Sequence, residues 1–150
     1  MGVNYAREDK TVIVDSDALI GLIHKDDALH KVCSEILMYI VQNNFSVVMP
    51  YAIVLEAATA LARSKAIKRP DLAVSLLNYY LTAAKGNYNF DFEVADLVAG
   101  LYDVKTSKKN TPFDHFVLAV AQKNDIKYVF SFDTFYRKRG LTLAEDLLKS

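Results

Sequence analysis

The chain has 150 residues, 52% of them hydrophobic and 24% charged, and its 18 basic and 18 acidic side chains cancel at neutral pH. That length suits one domain with one core, and the composition excludes intrinsic disorder. The charge balance excludes an overall field for polyanions, so a nucleic-acid partner would have to be held by a local basic patch.

The single cysteine, Cys33, cannot form an internal disulfide, and its helical neighbours make it a small buried hydrophobe. No apolar run approaches the roughly 20 residues needed to cross a bilayer, and residues 1–10 read as a polar tail rather than a signal peptide. The expectation is a soluble cytoplasmic protein with no membrane partner.

In chain order, residues 11–14 (TVIV) form a buried strand that runs into Asp15, Ser16 and Asp17. A short helix over 18–23 and a longer one over 28–43 follow, the second capped by Asp26 or Asp27. Residues 46–49 make a short buried strand closed by Pro50, and 51–64 are strongly helical in composition. Pro70 opens a helix over 71–85. A strand is expected over 88–92, a helix over 92–104, a loop over 106–112, and a helix over 113–124 behind Pro112. Residues 128–132 form another buried strand ending at Asp133, followed by a short basic helix, a break at Gly140, an edge strand over 141–143 and a terminal helix. Strands alternating with helices of this length predict an α/β fold, a central mostly parallel sheet with helices on both faces.

Four acids stand where solvated charge is not expected. Asp15 and Asp133 end apolar strands and open onto one sheet edge, where ligands of open α/β sheets bind. Glu56 lies inside the apolar helix AIVLEAATAL, and Asp114 in the first turn of PFDHFVLAVA. Taken singly, Asp114 reads as a helix N-terminal acid and Asp133 as a cap, Asp15 is evenly balanced, and Glu56 leans functional because nothing local pairs it. Taken together they need a counter-charge, since buried unpaired carboxylates are costly. An oxygen-only set without organised His or Cys favours magnesium or manganese over zinc. Asp17 is a cap, a supporting group or an additional ligand.

These residues, in this order and spacing, resemble the PIN domain family, and in length and layout its VapC-type toxin ribonucleases. The motifs are VDSDALIGL, PYAIVLEAATAL, TPFDHFVLAVAQKNDIKYVFSFD and FYRKRGL. The resemblance implies a PIN-like three-layer sandwich and a single nuclease domain over residues 11–150. It implies a ribonuclease using Mg2+ or Mn2+, with Asp15, Asp114 and Asp133 as direct or water-mediated ligands and Glu56 either binding metal or orienting the attacking water. Ser131 matches a hydroxyl position near the metal, and Asp17 departs from the Ser, Thr or Asn usual there. It also implies a homodimer and a small antitoxin partner, with contacts on the helices around 20–40 and 51–67.

An acidic pocket needs flanking cations to accept RNA. Arg137, Lys138 and Arg139 follow Asp133, Lys108 and Lys109 precede Asp114, and Arg63, Lys65, Lys68 and Arg69 follow the Glu56 helix. His115 reads as a packing or surface residue, because neighbouring helix positions diverge by about 100°. Phe135 and Tyr136 are candidates for a surface or subunit contact. Two rival functions stand beside the nuclease. One is a haloacid-dehalogenase-like phosphomonoesterase with Asp15 as nucleophile, the other a catalytically silent PIN-fold RNA-binding scaffold.

Overall fold

The computed structural model describes residues 10–83, 92–102, 105 and 109–149. Strand β1 (Thr11–Val14) pairs in parallel with β2 (Ser46–Val48) on one side and β3 (Tyr128–Phe130) on the other, and β3 pairs in parallel with β4 (Thr142–Leu143). The order β2-β1-β3-β4 places the topological switch between β1 and β3. Val12, Ile13 and Val14 are all buried although successive side chains point to opposite faces, so helices cover both sides of the sheet.

The helices are α1 (Ser16–Ile23), α2 (His30–Gln42), α3 (Tyr51–Arg63), α4 (Pro70–Ala83), α5 (Phe92–Leu101), α6 (Pro112–Lys123) and α7 (Thr134–Lys138), with a terminal 3₁₀ helix (Ala144–Lys149). Helix α6 contributes most to the core, with His115, Val117, Leu118, Ala119, Val120 and Ala121 all buried.

Three local expectations are corrected. Ser46 and Val47 are exposed rather than buried, because β2 ends the strand order among the described residues. Helix α2 starts behind Leu29 without a side-chain cap, and the Asp27 carboxylate accepts the Leu29 amide at 2.8 Å, one residue too early to serve the helix. The strand expected over 128–132 stops at Phe130, since Phe132 donates its amide to Asp17 and leaves the ladder. Of the strand expected over 88–92, residues 88–91 lie outside the described residues and Phe92 begins α5. Residues 106–108 of the expected loop also lie outside them.

Candidate active site

Asp15 leaves β1 in extended backbone and caps α1, its Oδ1 accepting the Ser16 amide at 2.7 Å. Its Oδ2 accepts the Tyr136 hydroxyl at 2.5 Å. The Asp15 amide donates to the Phe130 carbonyl at 3.0 Å, which sets it beside the end of β3 at the switch point. The residue is 3% exposed. Burial, followed by repulsion from Asp17, pushes its carboxyl from 3.8 up to about 7, against the opposing pull of the Tyr136 and Ser16 hydrogen bonds.

Asp17 is committed to protein donors. Oδ1 accepts the Ala18 amide at 2.8 Å, and Oδ2 accepts the Ser131 hydroxyl at 3.0 Å and the Phe132 amide at 2.8 Å. Ser131 Oγ in turn accepts the Asp133 amide at 3.2 Å. One polar chain therefore ties the first turn of α1 to the bend that carries Asp133. Burial raises the Asp17 carboxyl above its ordinary value despite these donors.

Asp133 caps α7, its Oδ1 accepting the Phe135 amide at 2.9 Å. Asp114 is the third residue of α6, and its Oδ2 closes a capping box by accepting the Thr111 amide at 2.7 Å. Asn110 joins the two, its side-chain amide donating to Asp133 Oδ2 at 3.0 Å and to Asp114 Oδ2 at 3.4 Å. Glu56 is half-buried on α3, where Ser16 hydrogen-bonds it and its Oε1 is buried with no hydrogen-bond partner. Burial, then the charges of Asp114 and Asp17, raise the Glu56 carboxyl.

The structure thus brings five acids from β1, α1, α3, α6 and the β3–α7 bend within Coulombic reach of one another. Among the described residues, no Lys or Arg forms an ion pair with any of them. No three His, Cys, Asp or Glu side chains among those residues form a ready-made ion cage either. The donor set still fits a hard cation. Every candidate ligand is a carboxylate oxygen, Glu56 Oε1 has no partner, and Mg2+ keeps several of its waters while taking only one or two carboxylates.

Sequence reasoning missed three residues here: Ser16, Asn110 and Tyr136. Tyr136 and Phe135 are buried, which corrects the surface contact expected for them. His115 is buried, with Nδ1 on the Thr111 carbonyl at 2.9 Å and its ring against Tyr102 and Phe135, so it packs the acid-bearing turn. Among the expected RNA contacts, Lys109, Lys138 and Arg139 are exposed, and Lys108 lies outside the described residues. Arg137 is engaged by Asp146 in two bonds at 2.8 Å and one at 3.1 Å, and lies 3.5 Å from Glu145.

Fold and site define a parallel α/β domain with a carboxylate cluster at its switch point. A family model described as "PIN domain" matches residues 12–140, and the chain belongs to the PIN domain family. A comparison with curated protein sequences gives no significant match. Among solved structures, the chain is similar to VapC20 of Mycobacterium tuberculosis, described as a sarcin-ricin loop cleaving toxin. The TM-score is 0.68 at 15% identity, covering 87% of this chain and 96% of that one. At that identity the likeness concerns the fold.

Proposed function

We propose that this protein is a divalent-metal-dependent endoribonuclease of the cytoplasm, a single nuclease domain over residues 11–150, and the toxin of a toxin–antitoxin pair. The observation that supports the chemistry most is the convergence of Asp15, Glu56, Asp114 and Asp133 with no Lys or Arg among the described residues ion-paired to them. Asp15, Asp114 and Asp133 would hold Mg2+ or Mn2+ directly or through water, with Glu56 as a further ligand or a base orienting the attacking water. When bound, the ion would supply a water of lowered pKa and charge to offset the phosphorane oxygens. The protein's part is orientation. Ser16 and Tyr136 fix both oxygens of Asp15, Asn110 spaces Asp114 from Asp133, and the Asp17–Ser131 chain holds the Asp133 bend.

The phosphatase reading gains nothing from this geometry, because Asp17, its acid–base group, is spent on Ser131 and Phe132. A protein partner is supported by an apolar groove of about 1020 Å³ lined by Leu22, Ile23, Leu37, Met38, Val41 and Tyr79 among others, which offers apolar surface to an antitoxin segment. Tyr51 and Leu55, exposed on α3, supply apolar surface for a homodimer.

The test is cleavage of structured and single-stranded RNA. Wild-type protein should cut in Mg2+ or Mn2+ and stop in EDTA, and folded Asp15→Asn and Asp114→Asn variants should lose at least about a hundredfold in rate. Cutting that survives in both variants means a contaminating nuclease and a misplaced site. Metal binding without cutting on any RNA points to the silent scaffold.

A further inference from the structure

We infer that Tyr136 is a positioning residue that sets the divalent-cation affinity of the site by holding Asp15 through its hydroxyl. The inference rests on the proposed nuclease reading and deepens it. Tyr136 is 0% exposed, so its hydroxyl has no access to bulk water, and it donates to Asp15 Oδ2 at 2.5 Å, at the short end of O–H···O bonds. A phenylalanine would fill the same space, so packing alone does not require that hydroxyl. What the hydroxyl adds is direction. With Oδ1 on the Ser16 amide at 2.7 Å and Oδ2 on the phenol, the plane of the carboxylate is fixed from both sides.

The other end of the tyrosine is anchored too. Its carbonyl accepts the Arg139 and Leu141 amides, both at 3.0 Å, and its ring meets Phe135 edge-on at 5.3 Å. Tyr136 stands on α7, the five-residue helix capped by Asp133. A single rigid side chain therefore spans from the helix that carries one acid to the strand end that carries another, and sets the spacing of Asp15 and Asp133. Groups that hydrogen-bond a metal ligand from behind orient it, and their removal costs about 10- to 100-fold in affinity.

The experiment is Mn2+ binding to the full chain by electron paramagnetic resonance, for wild type and Tyr136→Phe, beside a Mg2+ titration followed by tyrosine ultraviolet difference absorbance. Tyr136→Phe should keep its far-ultraviolet circular dichroism, bind Mn2+ about tenfold more weakly, and lose the difference signal that wild type shows saturating with metal. A purely structural hydroxyl would move neither the affinity nor the spectrum. An unchanged Mn2+ affinity in the variant overturns the inference. So does a wild type that binds Mn2+ with no tyrosine signal, and that second result decides the matter even if the variant does not fold. Wild-type protein that binds no Mn2+ sinks the metal reading itself, whereas wild-type binding with an unaffected variant sinks this inference alone.

Discussion

In the metal-free protein, burial keeps the Asp15 carboxyl protonated up to about pH 7, where an unfolded chain would release the proton at 3.8. Between those values the folded state binds more protons than the unfolded state, so stability falls as pH rises through the window. The contribution is complete below 3.8 and gone above about 7. Asp17 and Glu56 are shifted the same way by burial and add to it. The melting temperature of EDTA-treated protein should therefore drop between pH 3.8 and about pH 7, and the drop should be shallower in Asp15→Asn. A slope that is level, or equal in the two proteins, would show that Asp15 is not desolvated as the geometry requires. The acids themselves were legible in the sequence because a carboxylate after an apolar strand or inside an apolar helix violates local patterning. Tyr136 and Asn110 were not. Their partners lie 121 and 23 positions away, and an aromatic amid apolar neighbours carries no local sign that its hydroxyl has a charged acceptor.

At the scale of elements, the site depends on how closely α1 packs on α2, because Asp15 caps α1. Gly21 faces Cys33 across that contact, and a Cβ on Gly21 would sit 2.5 Å from Cys33 Sγ. Two effects oppose each other in Gly21→Ala. Helix propensity gains about 1 kcal/mol, while overpacking costs about 1–3 kcal/mol. The clash wins because Cys33 is fully buried and its sulfur has little room to retreat. Chemical denaturation should show Gly21→Ala destabilised by up to about 2 kcal/mol, and Gly21→Ala/Cys33→Ala recovering most of that relative to Cys33→Ala alone. Equal penalties in both backgrounds would place the strain elsewhere. Element order was readable from the alternation of short apolar runs with helical periods, and β1 and α3 to within a residue. The exposure of β2 was not, since an edge strand and a central strand share composition and differ only in neighbours contributed by distant chain. The missing cap of α2 failed for a related reason: two adjacent aspartates fit a cap by type, but the chain turns through Ala28 and Leu29 before the helix begins.

For the whole molecule, a formal net charge of zero means that RNA binding has to come from a few local cations rather than a general field. Close in sequence to Asp114 and Asp133 stand Lys109, Lys138 and Arg139, all three exposed, the last held over the Phe135 ring at 5.3 Å. Arg137, close by in sequence, has its guanidinium committed to Asp146. If those three make the phosphate contacts, affinity for a short single-stranded RNA should fall with salt at a log–log slope of about −2. Recruitment of Arg63, Lys65 and Lys68 as well would steepen the slope to about −4. Fluorescence anisotropy on Asp15→Asn protein, which leaves the RNA intact, distinguishes these cases. Arg139→Ala should flatten the slope by about 0.7, while Arg137→Ala leaves it unchanged because that side chain serves the fold rather than the phosphates. A flattening produced by Arg137→Ala and not by Arg139→Ala would reverse the assignment, and would mean that the ion pair with Asp146 opens when RNA arrives.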